Sequence, residues 1–223
     1  MASTTATLPA TAAYPARPLR MTYDEYVAWG EQEGYRGEWV DGEVIVFMTT
    51  SDRHQRILNF LVTVLTNYLI RLRAGEIASQ QFELRTREGA AREPDIFVLL
   101  NAHLDRLEKV RVRGAADLVI EINSPDSVDR DGRVKRAEYA SAGVPEYWII
   151  DPREGREAIE VLMLTGEGEY RPVEPDAGGR LASLVLPGVW ADPAWLAFGD
   201  PLPDVIDLSL RMVDASRAGE EPA

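Results

Sequence analysis

The 223-residue sequence contains no cysteine, which excludes disulfides, zinc–thiolate sites and cysteine nucleophiles. It also lacks long apolar runs, and its hydrophobic stretches fall far short of the roughly 18 residues that a membrane-spanning helix requires. The first 20 residues are rich in Ala, Thr and Pro without a continuous hydrophobic segment, so they are predicted to be a disordered extension rather than a signal peptide. We therefore expect a cytoplasmic protein with no membrane partner.

Lysine is almost as scarce, since Lys109 and Lys135 are the only lysines among 24 basic residues. A sequence that favours arginine this strongly makes either lysine a candidate for a position that arginine cannot fill. The net charge of −13 argues against a general role in coating nucleic acid, because such proteins carry a basic face. An enzyme that contacts nucleic acid only locally is still compatible with this charge.

The composition is otherwise typical of a soluble globular protein, with 45% hydrophobic and 27% charged residues. The length suits one domain with tails. We predict an N-terminal extension over residues 1–20, a single domain over residues 21–200 and an acidic C-terminal tail over residues 201–223.

Local patterns predict an α/β fold with a mixed sheet flanked by helices and a C-terminal antiparallel meander. Thr22 and Glu25 form a capping box that predicts a short helix to about residue 29, and Asp41–Gly42 predicts a hairpin turn. Apolar residues spaced three and four apart predict a long helix over residues 54–73, ended by Gly75. The other predicted elements are strands at 43–48, 76–78, 81–85, 95–100, 117–123, 146–151, 158–164, 170–173 and 182–186, helices at 129–142, 193–198 and 205–212, and a loop at 86–91.

Two of these predicted strands carry a carboxylate where a core residue would be expected. Asp95 opens one strand directly after a proline, and Glu121 lies between two isoleucines of the other. Burial of an unpaired carboxylate is costly, so the two residues are expected to converge on a cleft if their strands are neighbours. A divalent cation is the obvious partner, with the backbone carbonyl of Ile122 as a further ligand. A metal-bound water would then be the nucleophile, oriented by a nearby lysine.

Each candidate residue also has a structural explanation. Asp95 could cap backbone amides at the start of its strand, and Glu121 could pair with an arginine. Glu38 could be a solvated glutamate before a turn, and Lys135 could belong to a solvated helix face. His54, at the start of the long helix, could bind substrate or carry a proton, but a structural role is the more common one.

Several motifs together resemble the Uma-two (Uma2) family of endonucleases, which belongs to the PD-(D/E)xK, restriction-endonuclease-like class. The resemblance runs from about residue 21 to residue 196. It rests on Glu38-x-x-Asp41-Gly42, His54-Gln55, Pro94-Asp95, Val119-Ile-Glu121-Ile-Asn-Ser-Pro125, Asp129-Arg-Asp-x-x-x-Lys135 and Tyr139-x-x-x-Gly-Val-Pro-Glu-Tyr-Trp-Ile-Ile-Asp-Pro152.

The resemblance implies a restriction-endonuclease-like core that binds Mg²⁺ or Mn²⁺. It implies that Asp95 and Glu121 are metal-binding carboxylates and that Glu38 is an acidic residue contributed by the N-terminal segment. The wider class has a lysine two residues after the glutamate, where this sequence has Asn123. The resemblance suggests that Lys135, in the following helix, replaces it.

Two functional hypotheses follow. The first is a metal-dependent endonuclease that hydrolyses DNA through a metal-bound water, with Glu38, Asp95, Glu121 and Lys135 as catalytic residues and a dimer as the expected assembly. The second is a catalytically degenerate nuclease fold that acts as a binding or regulatory module, because Asn123 stands in the lysine position and the acidic surface would repel DNA at long range. A glycosidase would also use paired carboxylates, but the sequence has no other feature of one.

Overall fold

The computed structural model describes residues 19–33, 37–46, 51–80, 82–124, 130–198 and 201–220. The predicted N-terminal extension lies outside these ranges up to residue 18, and so do residues 47–48 of one predicted strand. The α-helices are α1 (Tyr23–Glu33), α2 (Asp52–Leu72), α3 (Arg136–Ala142) and α4 (Val205–Glu220), with 3-10 helices at Asn101–Arg106 and Pro193–Leu196 and a π-helical segment at Arg130–Lys135.

The strands form two larger sheets and one small one. They are β1 (Leu19–Arg20), β2 (Gly37–Val40), β3 (Glu43–Val46), β4 (Gly75–Ser79), β5 (Glu83–Arg87), β6 (Ala90–Arg92), β7 (Ile96–Leu100), β8 (Arg111–Arg113), β9 (Leu118–Ile122), β10 (Glu146–Asp151), β11 (Ala158–Leu164), β12 (Tyr170–Pro172), β13 (Leu181–Ala182) and β14 (Trp190–Ala191). Strand order is β1-β3-β2-β6-β5-β8 in the first sheet and β12-β11-β10-β9-β7-β4 in the second, and β13 pairs with β14. Strand β9 runs parallel to β10 and antiparallel to β7, so the second sheet is mixed, as predicted.

The second sheet buries both of its faces. One face, with Ile96, Ile120 and Trp148, packs in a core with α2 and α4. The opposite face, with Phe97 and Val119, packs in a second core that includes Tyr139 and Tyr147. Burial on both faces explains why the central strands are nearly continuous apolar runs.

Helix α1 begins at the predicted capping box and runs further than predicted. The Thr22 backbone N donates to Glu25 Oε2 at 2.7 Å, and the Glu25 backbone N donates to Thr22 Oγ1 at 3.3 Å. The helix then passes through Gly30 and ends at Glu33. A glycine inside a helix costs only about 1 kcal/mol, so Gly30 does not end it.

The long helix α2 is also ended by a residue other than the predicted one. Ser51 is its N-cap, and Arg73, in the left-handed conformation with φ of 52°, is its C-cap. Gly75 instead lies in β4, where an added Cβ would be 2.1 Å from the Leu99 carbonyl oxygen. This glycine therefore permits close approach of β4 to β7 and does not end the helix.

Residues 86–91, predicted to be a loop, belong mainly to a hairpin. Strands β5 and β6 are joined by a two-residue turn at Glu88–Gly89, with Gly89 at a φ of 82°. Only Leu84 of β5 is buried, so the strand lacks the strong apolar pattern that would reveal it.

The predicted strand at 182–186 is shorter than expected and covers Leu181–Ala182. The backbone N of Ser183 donates to the Val189 carbonyl oxygen at 2.9 Å, and the next two amides donate to a side chain instead of to a neighbouring strand. Glu146 Oε2 accepts from the N atoms of Leu184 and Val185, at 2.6 and 3.0 Å.

Most of the segment after residue 200 forms helix α4, which runs well beyond the predicted patch at 205–212. Leu208, Met212 and Val213 are buried in the core shared with α2. The Tyr68 hydroxyl of α2 also lies 3.4 Å from Ser216 Oγ of α4. None of the helices in the described ranges is long and apolar enough to cross a membrane.

Candidate active site

Two carboxylates face each other where β9 ends beside the start of β7. The antiparallel register pairs Ile96 with Ile120, so the next position places Asp95 opposite Glu121, on the same face of the sheet. Asp95 Oδ2 accepts a hydrogen bond from the Ile122 backbone N at 2.7 Å. The structure therefore brings together the two carboxylates that the sequence singled out.

Lys135 lies beside Glu121 in the protein interior. Its Nζ is 2.8 Å from Glu121 Oε1, 2.8 Å from Glu38 Oε1 and 3.5 Å from Asp131 Oδ1. The Tyr139 hydroxyl donates to the same Glu121 oxygen at 2.8 Å. Lys135 and Glu121 are 2% and 3% exposed, so these are interior ion pairs.

The π-helical segment before α3 carries Lys135 to this position. Asp131 and Lys135 belong to the segment, and Tyr139 follows four residues later in α3, which places its side chain over the same face. The Tyr147 hydroxyl of β10 donates to the Asp131 carbonyl oxygen at 3.1 Å, which ties the segment to the sheet. Single π turns in helices are frequent at functional sites.

Glu38 and Arg92 connect the first sheet to this cluster. Strands β2 and β6 are paired, with Trp39 opposite Ala91. Arg92 donates through Nη1 to Glu38 Oε2 at 3.0 Å and through Nη2 to Glu138 Oε2 at 2.6 Å. Glu38 is 0% exposed and shares its two oxygens between Arg92 and Lys135.

The cluster has more acidic than basic members. Lys135 and Arg92 contact the four carboxylates of Glu38, Glu121, Asp131 and Glu138, and Asp95 is a fifth beside them. Burial raises the pKa of Glu121 well above its ordinary value. Lys135 opposes that shift in the pKa, whereas the charges of Asp131, Asp95 and Glu38 increase it. A bound cation would relieve this excess of negative charge.

Two buried polar side chains at this edge of the sheet are only partly satisfied. His54 Nε2 lies 3.2 Å from Asp95 Oδ1, while its Nδ1 has no hydrogen-bond partner among the described residues. Asn123 hydrogen-bonds with Asp151, whose pKa burial raises but hydrogen bonds and charge from Arg153 lower more strongly, with the Asn123 bond as the smallest contribution to the lowering. Asn123 Oδ1 has no hydrogen-bond partner within the described ranges. Buried polar atoms of this kind normally pair with protein, water or an ion.

The donor set fits a divalent cation without presenting a preassembled cage. No group of three or more His, Cys, Asp or Glu side chains within the described ranges is arranged to hold a metal ion. Two carboxylates at opposed strand positions are nevertheless the ligands that Mg²⁺ commonly takes from a protein, with waters completing its shell. The unpartnered oxygen of Asn123 and nitrogen of His54 are further polar atoms available at this edge.

Four residues of the cluster were given no role from the sequence, namely Arg92, Asp131, Glu138 and Tyr139. Asp131 and Tyr139 lie four residues on either side of Lys135, a helical spacing that could have linked them to it. Arg92 precedes the Glu93-Pro94-Asp95 stretch, but its contact with Glu38 depends on the pairing of β2 with β6. No local pattern in the sequence indicates that pairing.

Comparisons with known proteins agree with this architecture. A family model, Uma2, described as "Putative restriction endonuclease", matches residues 23–197. The chain is also similar to a crystal structure described as a putative nuclease belonging to DUF820 from Anabaena variabilis ATCC 29413, with 22% identity and a TM-score of 0.58 over 86% of this chain and 99% of that chain. No curated protein matches the sequence. The structural likeness, at this identity, supports the restriction-endonuclease-like fold.

Proposed function

The chain belongs to the Uma2 family, and from this premise we propose that it is a divalent-metal-dependent endonuclease that hydrolyses the phosphodiester bonds of DNA. The observation that carries the proposal is the contact of Lys135 Nζ with Glu121 Oε1 at 2.8 Å, beside Asp95. Carboxylates and a lysine in one interior cluster are the groups that metal-assisted phosphodiester hydrolysis requires.

Asp95, Glu121 and the backbone carbonyl of Ile122 are the residues proposed to hold Mg²⁺ or Mn²⁺. Such a cation supplies a water of lowered pKa as the nucleophile and stabilises charge on the phosphate. Asp95 is oriented by the Ile122 backbone N, and Glu121 by Lys135 and Tyr139. These hydrogen bonds fix both carboxylates before any ligand arrives, which lowers the cost of assembling the site.

In the wider class, a lysine two residues after the glutamate contributes to catalysis. We propose that Lys135 has this function here. Its ammonium can orient the attacking water and offset negative charge that develops on the phosphate. Glu38 is fully buried between Lys135 and Arg92, so we assign it a positioning role. Glu38 holds Lys135 against Glu121, and Arg92 holds Glu38 in place.

DNA is the proposed substrate despite the acidic composition. A net charge of −13 weakens long-range attraction to DNA, so affinity must come from local contacts and from the bound cation. An endonuclease that cuts both strands of a duplex often works as a dimer, and we therefore include a dimer in the proposal.

The test is cleavage of supercoiled plasmid with Mg²⁺ or Mn²⁺ by the wild type, Asp95→Ala and Glu121→Ala, purified identically. We expect nicking by the wild type, and a rate at least about a hundredfold lower in both variants, because each removes a group that stabilises the transition state. Equal cleavage by all three proteins would identify a contaminating nuclease and contradict the proposal. No cleavage by any of them, with metal binding intact, would favour a binding or regulatory module on a nuclease fold.

A further inference from the structure

The chain leaves β9 through a buried asparagine whose side chain is only half satisfied. Asn123 follows two residues after Glu121, and strand alternation places both side chains on the same face of the second sheet. Asn123 is 6% exposed, and its backbone N donates to the Ile150 carbonyl oxygen at 2.7 Å. Its Oδ1 is buried without a hydrogen-bond partner among the residues that the structure describes. Leaving a buried acceptor unpaired destabilises a fold, so this oxygen needs an explanation.

The neighbouring strand fixes which way the Asn123 amide points. The parallel register pairs Ile149 with Glu121. Two residues further on, Asp151 lies opposite Asn123, and their side chains hydrogen-bond. An ionised carboxylate only accepts hydrogen bonds, and the amide nitrogen is the only donor of an asparagine side chain. Nδ2 therefore faces Asp151, and Oδ1 points away from it. Arg153 donates to Asp151 through Nε and Nη2, at 2.8 and 2.6 Å, so the acceptor of Nδ2 is itself held in place.

Building on the proposed function, we propose that Asn123 is a further catalytic residue whose Oδ1 accepts a hydrogen bond from the water that attacks the phosphate. Asp151 and Arg153 are the positioning residues that hold its amide. Side chains two residues apart on one face of a strand are about 6–7 Å apart, and two hydrogen bonds of about 2.8 Å through one water nearly span that distance. Asn123 Oδ1 is thus within reach of a water that also contacts Glu121.

The role of the amide oxygen is to orient the water. An amide oxygen is too weakly basic to take a proton, so Asn123 fixes the direction of the water lone pair and does not deprotonate it. The water oxygen bonds to phosphorus while the bond from phosphorus to the leaving oxygen breaks. The proton that the water loses passes to solvent, and the leaving oxygen takes a proton from solvent.

The opposite end of the strand pair has an asparagine in the equivalent place but without a buried acceptor. Asn101 directly follows β7, as Asn123 directly follows β9. Its backbone N donates to the Ala74 carbonyl oxygen at 3.0 Å, and its Nδ2 donates to the Arg73 carbonyl oxygen at 2.6 Å. Asn101 is exposed, so solvent can satisfy its side-chain oxygen. The two asparagines have the same backbone role, and Asn101 is therefore a matched control for Asn123.

The first test replaces each asparagine by leucine, which has a similar shape but no polar atom. For Asn123→Leu, we expect kcat for plasmid nicking to fall at least about tenfold while KM stays unchanged, because only the attacking water loses a contact. Its Tm should be no lower than that of the wild type, since the substitution removes an acceptor that had no partner. Asn101→Leu should retain the wild-type kcat. A lower Tm with an unchanged kcat in Asn123→Leu would show a structural role and contradict the proposal.

The second test asks whether Asp151 acts through Asn123. Asp151→Ala frees the amide to turn, so kcat should fall by a smaller factor than in Asn123→Leu. In the Asn123→Leu protein the same change should not lower kcat further, because no amide is left to orient. An equal loss in both backgrounds would contradict the positioning role of Asp151.

A crystal structure of the wild type provides a measurement that is independent of cleavage. We expect an ordered water within hydrogen-bond distance of Asn123 Oδ1, on the face of the sheet that carries Glu121. A protein group in place of that water would contradict the proposal. This measurement decides the question even if Asn123→Leu does not fold.

The outcomes separate this inference from the proposed function. If the wild type cleaves plasmid and Asp95→Ala does not, a wild-type kcat in Asn123→Leu means that Asn123 is not catalytic and that the carboxylate site stands. If the wild type does not cleave, the proposed function is wrong, and the catalytic role of Asn123 is wrong with it.

Discussion

The two ends of the β7–β9 strand pair are built alike but differ in the chemistry they hold. At one end Asp95 precedes β7, and its Oδ2 accepts from the backbone N of Ile122, the last residue of β9, at 2.7 Å. At the other end Asp117 precedes β9, and its Oδ2 accepts from the backbone N of Leu100, the last residue of β7, at 2.8 Å. In both places the aspartate satisfies an amide at the end of the neighbouring strand.

Each aspartate also faces a histidine through its other oxygen. His54 is buried and its Nε2 is 3.2 Å from Asp95, whereas His103 is half-buried and its Nδ1 is 2.7 Å from Asp117. An Asp–His pair at a strand end is therefore not by itself a sign of function in this fold. It is a way to satisfy the backbone where a strand pair ends.

The residue opposite each aspartate makes the difference. The register places Glu121 opposite Asp95 but the apolar Leu99 opposite Asp117. Only the first arrangement gives two facing carboxylates, and Lys135 contacts that pair through Glu121 while Glu38 contacts Lys135. The Asp95 end is therefore a candidate active site because the neighbouring strand supplies a second carboxylate. The Asp117 end lacks that carboxylate and only caps the strand.

The largest loss of cleavage is expected when Lys135, one of the two lysines of the sequence, is replaced. Lys135→Met removes the ammonium between Glu38 and Glu121, so plasmid cleavage per folded molecule should fall at least about a hundredfold. Loss of one partner from a buried ion pair should also lower the free energy of unfolding by about 3–5 kcal/mol. Circular dichroism would give the folded fraction at the assay temperature.

The matched control is Lys109→Met. Lys109 is exposed in the connection from β7 to β9, so this variant should cleave DNA as the wild type does. An equal loss of cleavage in both lysine variants, or none in Lys135→Met, would contradict the assigned role of Lys135.

A smaller effect, confined to stability, is expected from two arginines of the first sheet. Arg92 is buried between Glu38 and Glu138, whereas Arg87 and its partner Asp41 are exposed. Arg92→Met should lower the free energy of unfolding by about 3–5 kcal/mol. Arg87→Met should lower it by about 0–1 kcal/mol. Urea unfolding of the metal-free proteins measures both, and equal values would show that the cluster is not the buried network described.

The smallest effect is expected at the Asp117 end. Asp117→Ala leaves the Leu100 backbone N without its acceptor and should lower the free energy of unfolding by about 1–3 kcal/mol. Cleavage by this variant should match the wild type, because Leu99 rather than a second carboxylate lies opposite Asp117. Thermal unfolding and plasmid cleavage check the two parts, and a loss of cleavage in the folded variant would show that this end also takes part in the reaction.

The sequence predicted much of the site because strand periodicity is a local property. An isolated carboxylate inside an apolar run, as at Glu121, marks a position that needs an explanation whatever the strand order is. The scarcity of lysine and the resemblance to the Uma2 family together indicated Lys135. These signals require no knowledge of which strands pair.

Contacts that depend on the packing of distant elements could not be predicted in this way. The Arg92–Glu38 ion pair requires β6 to lie beside β2, and the His54–Asp95 contact requires α2 to pack at one edge of the second sheet. Periodicity misassigned residues 86–91 for a related reason, since β5 is a mostly polar strand. Gly75 was misread because its role depends on the approach of Leu99.

The most direct measurement is metal-dependent plasmid cleavage by Asp95→Ala and Asp117→Ala, compared at the same folded fraction. The two variants remove equivalent carboxylates from the two ends of one strand pair. We predict that Asp95→Ala loses cleavage and metal binding, whereas Asp117→Ala retains both. Retention of cleavage by Asp95→Ala, or equal loss in both variants, would contradict the assignment of the active site to the Asp95 end.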